Sequence, residues 1–271
     1  MFLAIDPLKL FRRSLYSIVV VLTASIASFS QKPATPGFPF QPGEKLVYEG
    51  KAIKIFSVAV ADLTFTFTKA PNSENYLIKT EAVSKGTLLK LFRYSFLQEY
   101  GSLVDHDTFR IIKTTKHDVQ KERVRDSVAD FDYRDKTVTF VENDPKNPTR
   151  APRRIASDLT APMNDIVSAI YVMRTLPLSV GKTFDVPLSD SGLVYNVPVK
   201  VTAREQQKTA IGKLWCYRLE PALFGPGRFF DQNGKMIIWI SDDARRIPVR
   251  GRIETESFKV EVKLRSVARI S

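Results

Sequence analysis

Apolar and polar residues alternate along many short segments of this chain, and this alternation constrains the fold more than any other feature. Near the C-terminus, Phe258, Val260, Val262 and Leu264 alternate with charged residues in "FKVEVKLRSV". A period of two places apolar side chains on one face of a strand and charged side chains on the other. Similar segments recur from "KLVYEG" onward, with turn residues between them. The sequence therefore predicts a mainly β protein: a single-domain antiparallel sheet that is curved, or rolled into an open or closed β-barrel.

One segment, "TAPMNDIVSAIYVMRTLPL", has the spacing of a helix instead. Asp165 suits the positive end of a helix, and Arg174 suits its last turn. We predict one amphipathic helix over about Pro162 to Thr175, packed on the sheet, with Ile170 deeply buried and Ser168 on the opposite, outward face. The apolar residues that share the predicted buried face are Met163, Ile166, Val167, Ile170 and Met173.

The first thirty residues have the layout of a secretory signal peptide. Basic residues precede the apolar run "SLYSIVVVLTASIASFS", and Ser28 and Ser30 fit a cleavage site before Gln31. An uncleaved N-terminal anchor is the alternative. No cysteine follows the apolar run, so we expect a soluble exported protein, periplasmic or otherwise extracytoplasmic, and not a lipoprotein.

Composition fits one globular domain after this segment. The chain of 271 residues is 44% hydrophobic and 26% charged, which is ample for a core. We divide it into a signal peptide (1–30), a linker rich in Pro and Gly (31–42) and a single β-rich domain (43–271). The net charge of +12 favours anionic partners. The basic residues are dispersed and largely lack interleaved aromatics, so nucleic acid is not an expected partner.

Three stretches resemble a known bacterial family. "FPFQPGEKLVYEG", "DIVSAIYVMRTLPLSVGKTFDVPL" and "KMIIWISDDARRIPVRGRIET" occur in the order and spacing of the domain of unknown function 3108 family. The resemblance covers roughly Phe38 to Val267, and it implies an exported, β-rich protein with no assigned reaction. The corner from Trp239 to Pro248 is also similar to a hairpin of periplasmic lipoprotein carriers, whose open β-barrels hold acyl chains; this likeness is one of fold alone.

The acidic and basic cluster "SDDARRIP" allows two interpretations. As chemistry, Asp242 and Asp243 would be the acid and base of a hydrolase acting on cell-wall or polysaccharide substrates. As structure, aspartates accept backbone hydrogen bonds in turns, and Arg245 and Arg246 brace the corner between two strands. Arginines beside both aspartates stabilise them as anions, which works against proton donation. The sequence favours the structural corner.

The loop "FGPGRFFDQNGK" is the best candidate for ligand contact. Phe224, Phe229 and Phe230 surround two glycines, and Trp239 lies a few residues beyond. These aromatic residues either contact a lipid or sugar, or fold into the core. We name them as the candidate ligand-binding residues.

Other catalytic groups are not expected. The sole cysteine, Cys216, lies in an apolar strand-like run, which indicates a buried, inert thiol. His106 and His117 lie in separate polar stretches without further ligands at metal-site spacing. No cofactor or metal is predicted. The sequence thus favours a non-enzymatic envelope protein that binds an apolar or amphipathic ligand, with a lipid, a glycan or an envelope protein as partner. A purely structural role is not distinguished from it.

Overall fold

The computed structural model describes residues 38–53, 57–87, 90, 93–256 and 259–270. In these ranges the fold is one 14-stranded antiparallel sheet, curved around a buried helix. This confirms the predicted fold class. The predicted signal peptide lies outside the described residues, as does most of the predicted linker. Among the described residues, no helix is long and apolar enough to cross a membrane.

The strands follow one another along the chain with the helix α1 in the middle. Strands that follow each other in sequence pair, except β8 and β9, and β1 also pairs with β14, which joins the two halves of the sheet. The edges are β8 and β9. The elements are β1 (Glu44–Ile53), β2 (Ser57–Lys69), β3 (Tyr76–Ser84), β4 (Phe96–Val104), β5 (Ile111–Gln120), β6 (Arg123–Asp132), β7 (Thr137–Asn143), β8 (Arg153–Asp158), α1 (Ile166–Thr175), β9 (Thr183–Asp190), β10 (Leu193–Thr209), β11 (Gly212–Pro221), β12 (Gly234–Ser241), β13 (Pro248–Thr255) and β14 (Lys259–Arg269).

Alternation places the core on one face of the sheet. In β14, the side chains of Val260, Val262 and Leu264 are buried as their spacing predicts. Glu261 is also buried, although it points to the other face. That face is covered locally by arginine side chains, as described below for Arg250.

The two edges of the curved sheet approach each other without pairing. The turn between β9 and β10 has Ser191 at φ 50° and Gly192 at φ 79°. A Cβ atom on Gly192 would lie 2.7 Å from the Cβ atom of Phe140 and 3.0 Å from that of Ile155. Only glycine fits this contact, so the β9–β10 hairpin packs closely against β7 and β8.

The free edge of β9 is partly covered. The backbone N–H of Asn164 donates to the carbonyl oxygen of Pro187 (3.1 Å), and the N–H of Ser189 donates to the carbonyl of Asn164 (2.8 Å). Pro187 also has no N–H to offer to a further strand. Both features limit pairing with another chain at this edge.

Helix α1 lies inside the curved sheet and contacts β3, β4 and β9. It begins at Ile166, later than the predicted start at Pro162. Ile170 is 2% exposed, which confirms its predicted burial. The prediction for Ser168 was wrong, because Ser168 is 0% exposed. The sheet surrounds the helix, so the face opposite Ile170 meets protein rather than solvent.

Candidate functional site

An apolar cavity of about 40 Å³ lies between helix α1 and the strands β9 to β12. All of its lining residues are apolar, and it contains no charged or hydrogen-bonding side chain. An apolar cavity of this kind excludes water and accepts apolar groups. The lining residues are Ile166, Ala169, Ile170, Met173, Val186, Leu188, Val197, Val199, Pro221, Leu223, Phe229, Phe230, Met236 and Ile238.

The aromatic loop between β11 and β12 brings all three predicted phenylalanines to this cavity or next to it. Phe229 and Phe230 line the cavity and contact each other edge to face, with ring centroids 4.7 Å apart. Phe224 stacks on Phe230 at 4.8 Å, and Tyr195 of β10 contacts Phe229 at 5.3 Å. The three rings remain half-buried. The loop is therefore a partly exposed cover over an apolar space.

Trp239 does not join this group. Its neighbours Met236 and Ile238 line the cavity, but the Trp239 side chain lies on the other face of β12, because successive residues of a strand alternate. There it is 3% exposed and donates a hydrogen bond from Nε1 to Glu205. The guanidinium of Arg250 lies 4.7 Å from its ring centroid. Trp239 is a packed residue of the outer face, apart from the cavity.

The corner between β12 and β13 is held by the carboxylate of Asp243. This carboxylate accepts hydrogen bonds from the hydroxyl of Ser241 (2.8 Å) and from the backbone N–H of Arg245 (3.1 Å). The Arg245 guanidinium donates to it as well. Burial raises the pKa of Asp243, but these hydrogen bonds outweigh burial and leave the pKa below its usual value. Arg246 adopts φ 47°, which completes the turn.

Asp242 points to a different partner. Its carboxylate accepts a hydrogen bond from Nε of Arg204 in β10 (2.6 Å), and its backbone N–H donates to the carbonyl oxygen of Trp215 (2.8 Å). The two aspartates are therefore neighbours in sequence that contact separate arginines.

The backbone of the same corner accepts hydrogen bonds from a buried arginine that sequence reasoning assigned only to helix-end electrostatics. Arg174, in the last turn of α1, is 1% exposed. Its Nη1 and Nη2 donate to the two carboxylate oxygens of Glu44 at 2.6 and 2.8 Å. Its guanidinium also donates to the carbonyl oxygens of Arg245 and Arg246, both at 3.1 Å. One side chain thus connects α1, the start of β1 and the corner.

Arg174 remains protonated although its side chain is buried. Burial lowers the pKa of Arg174, but the carboxylate of Glu44 outweighs burial and raises it overall. The rings of Phe40 and Tyr171 lie 4.7 and 5.1 Å from the guanidinium carbon. The cation is therefore enclosed by a bidentate carboxylate, two carbonyls and two aromatic faces.

The remaining predicted groups lie apart. Cys216 is buried, and burial raises the pKa of its thiol to about 12, so that it stays protonated and unreactive, as expected from the sequence. His106 lies beside Asp107 on the surface, with 3.0 Å between Nε2 and the carboxylate. Over the residues that the structure describes, no cluster of three or more potential metal ligands is present.

A polar groove of about 680 Å³ lies across strands β1 to β7. Its lining mixes threonines with lysines and carboxylates, and it includes His117, whose Nδ1 lies 2.5 Å from the carboxylate of Asp126. Gly101 also lines the groove, where a Cβ atom would lie 2.6 Å from the hydroxyl oxygen of Thr115. The groove is open, and its charges are mixed.

Comparison with solved structures supports the fold. A β-barrel-like protein of the domain of unknown function DUF1849 from Brucella abortus matches with a TM-score of 0.57 at 10% identity, covering 84% of this chain and 98% of that chain. A candidate lipoprotein from Parabacteroides distasonis matches with a TM-score of 0.32 at 10% identity, covering 87% of this chain and 100% of that one. A candidate exported protein with a YmcC-like fold from Bacteroides fragilis has a TM-score of 0.33 at 8% identity, covering 86% and 99%. The last two scores are too low to support any argument.

Sequence comparison identifies the family. No curated protein sequence matches this chain. The family model described as protein of unknown function (DUF3108) matches residues 47–263, which is most of the chain and includes all of the corner and the helix. The protein therefore belongs to the DUF3108 family.

Proposed function

We propose that this protein is an exported, non-enzymatic component of the cell envelope that binds an apolar or amphipathic ligand beneath the aromatic loop. The observation that carries the proposal is the uniform chemistry of the cavity, whose lining is apolar throughout. A polar ligand group placed there would lose its hydrogen bonds to water without replacement. An acyl chain is the class of ligand that such a lining favours.

The size of the cavity indicates how a ligand would enter. Ligand sites usually enclose about 300–1,000 Å³, whereas this cavity encloses about 40 Å³. An acyl chain therefore requires the cover to move, and the cover is the loop that carries Phe229 and Phe230. Gly225 and Gly227 in this loop have positive φ values of 119° and 69°. Loops with half-buried side chains open at lower free energy than core strands.

Mass spectrometry of lipids extracted from the protein, purified from the envelope, tests this proposal. We expect an acyl-bearing molecule to co-purify with the wild type. Ala169→Leu fills the cavity and should remove that molecule. Ala129→Leu is the matched control, since Ala129 has the same 7% exposure as Ala169 but does not line the cavity.

Circular dichroism must show that both variants are folded. Absence of lipid from the wild type, or equal retention by the two variants, would contradict cavity binding. Loss from Ala169→Leu alone would support it.

Export is a separate part of the proposal, and it rests on the basic and apolar pattern of the first thirty residues. Cell fractionation followed by N-terminal sequencing tests it. We expect the mature protein in the extracytoplasmic fraction with Gln31 as its first residue. An intact Met1 in the cytoplasmic fraction would contradict this expectation.

For the corner we propose a structural role. The alternative, a hydrolase that uses Asp242 and Asp243, has less support because each carboxylate is held by an arginine. Asp243→Asn should lower the free energy of unfolding, since it weakens the contact with Arg245. Hydrolysis of cell-wall or polysaccharide substrates by the wild type, abolished in a folded Asp243→Asn variant, would favour the enzyme instead.

A glycan is a second candidate ligand, and the observation that favours it is the open polar groove. Its size of about 680 Å³ accommodates an oligosaccharide. Binding to a glycan array, lost in His117→Ala and kept in His106→Ala, would place the glycan in the groove. Absence of binding by the wild type would contradict it.

A further inference from the structure

The hairpin formed by β10 and β11 extends as an arm with two different faces. In its register Arg204 pairs with Tyr217, Gln206 with Trp215, and Lys208 with Lys213. Directly paired residues of antiparallel strands, and residues two apart in one strand, share a face. We call this set of six residues the hairpin face: Arg204, Gln206, Lys208, Lys213, Trp215 and Tyr217.

The opposite face of the arm fixes its orientation. The carboxylate of Glu205 accepts the indole hydrogen bond of Trp239. The amide oxygen of Gln207 accepts a hydrogen bond from Nη1 of Arg250 at 2.9 Å. These two contacts hold one face of the arm against Trp239 and Arg250. The side chains of the hairpin face are exposed, apart from the half-buried Tyr217.

An aromatic residue is exposed on the hairpin face. Trp215 is 46% exposed, whereas Trp239 of β12, which contacts the opposite face of the arm through Glu205, is buried. The guanidinium of Arg204 lies 4.5 Å from the Trp215 ring centroid and covers one ring face. At the tip, Ala210 is exposed and Ile211 is half-buried. Aromatic, apolar and cationic groups thus lie side by side.

The two lysines of the hairpin face are exposed. Within the described part of the chain, neither Lys208 nor Lys213 forms an ion pair, and Arg204 shares its charge with Asp242. The neighbouring outer surface differs, because Glu261 pairs there with Arg250, Arg252 and Lys263.

On that neighbouring surface, basic side chains neutralise the charges of two glutamates. Burial raises the pKa of Glu261, but its hydrogen bonds to Lys263 and Arg250 lower it to about 2. Glu49 similarly pairs with Lys51, Lys85 and Arg265. The cations around Glu261 and Glu49 are therefore neutralised by carboxylates, whereas the exposed lysines of the hairpin face are not neutralised by any carboxylate among the described residues.

We propose that the hairpin face binds an anionic lipid surface. Indole rings occupy the boundary between lipid headgroups and acyl chains, where their apolar body and polar N–H are both accommodated. Lysines beside such a ring place their ammonium groups among anionic headgroups while their stems follow apolar surface. Arg204 covers one face of the Trp215 ring, which reduces the ring area that is open to stacking on a sugar. This inference does not depend on the cavity, which Pro221 lines at the other end of β11.

Vesicle binding by the full protein tests the inference. The probes are phosphatidylcholine vesicles with and without phosphatidylglycerol at low salt, with co-sedimentation and tryptophan emission as readouts. We expect binding only to the anionic vesicles, weakened by salt, with a blue shift of emission. Trp215→Phe should abolish the shift, because Trp239 is already buried and does not respond.

Two double variants locate the binding surface. Each lysine near an anionic membrane contributes roughly a fivefold gain in affinity, so Lys208→Gln with Lys213→Gln should weaken binding about twenty-fivefold. Lys69→Gln with Lys146→Gln removes the same net charge from two exposed ion pairs elsewhere and should have little effect. Equal weakening by both double variants would show attraction by net charge alone and overturn the proposal.

Two other outcomes would also overturn it. These are failure of the wild type to bind anionic vesicles, and binding to an acidic polysaccharide in their place. Neither outcome bears on the cavity, which lipid extraction tests separately.

Discussion

The two ends of helix α1 both bury a charged side chain, but they compensate its charge differently. At the N-terminal end, the Asp165 carboxylate accepts hydrogen bonds from neutral donors. Two are the backbone N–H groups of Val167 (3.1 Å) and Ser168 (2.7 Å). Two are the hydroxyls of Ser102 (2.5 Å) and Thr114 (2.8 Å) on β4 and β5. No countercharge is among these partners.

At the C-terminal end, Arg174 is compensated by an opposite charge. Glu44 lies 130 positions away in the sequence and binds the guanidinium with both carboxylate oxygens. The carbonyl oxygens of Arg245 and Arg246 complete the set.

The difference has an energetic consequence. Loss of one neutral donor leaves a carboxylate with several others, whereas loss of one partner of a buried ion pair leaves an uncompensated charge. We therefore expect the C-terminal end to be the more sensitive to mutation.

The largest effect is expected for Arg174→Met. The substitution keeps a long apolar side chain but leaves Glu44 without its partner and two carbonyl oxygens without a donor. We expect a loss of about 3–5 kcal/mol in the free energy of unfolding, measured by urea denaturation. Adding Glu44→Gln should recover part of this loss, since the unpaired charge is then removed. A double variant no more stable than Arg174→Met would contradict an ion-pair origin.

The middle of helix α1, between Asp165 and Arg174, is held by apolar packing, so a substitution there measures packing without a change of charge. Ile170 is 2% exposed and lines the apolar cavity. Ile170→Ala removes buried methyl groups and enlarges the cavity, at a cost of about 2–5 kcal/mol. An unfolding midpoint equal to that of the wild type would show that α1 does not pack as described. Loss of a co-purifying lipid from a folded Ile170→Ala variant would link the helix to ligand binding.

At the N-terminal end, Asp165→Ala removes the cap and leaves the hydroxyls of Ser102 and Thr114 without their acceptor. We expect a loss of about 2–3 kcal/mol in urea denaturation, smaller than that of Arg174→Met, because only neutral donors lose their partner. Asp165→Asn keeps one capping oxygen and should cost less. If Asp165→Ala were the more damaging of the two end variants, the comparison between the ends would be reversed.

Patterns among residues that are close in sequence made much of the fold predictable. Alternation at Val260, Val262 and Leu264 identified a strand, and the apolar spacing around Ile170 identified a helix, although its start was predicted at Pro162 and lies at Ile166. Both signals arise from residues within a few positions of each other. The burial of Ile170 also followed, because a short amphipathic helix needs tertiary contacts.

What the sequence did not reveal depends on contacts between distant segments. The partner of Arg174 is fixed by the pairing of β1 with β14 and by the path of α1 inside the sheet, and neither leaves a local signal. The exposure of Trp215 and the burial of Trp239 likewise depend on how the β10–β11 arm is placed on β12. One local signal could have separated Trp239 from the cavity, because adjacent residues of a strand, such as Ile238 and Trp239, point to opposite faces.

The smallest effect is expected at Ser168, where sequence and structure disagree most directly. Sequence periodicity placed Ser168 on an outward face, so its replacement was expected to cost little. In the structure its hydroxyl accepts a hydrogen bond from the backbone N–H of Asp165 (2.9 Å) in a capping box. Ser168→Ala should therefore cost about 1 kcal/mol in urea denaturation. The control is Thr175→Ala at the exposed end of the same helix, where the lost hydrogen bond to the Val172 carbonyl is open to water and the cost should stay within about 0.5 kcal/mol. Equal costs for the two variants would mean that the capping box adds no stability, and that the N-terminal end of α1 is held by Asp165 and its strand partners alone.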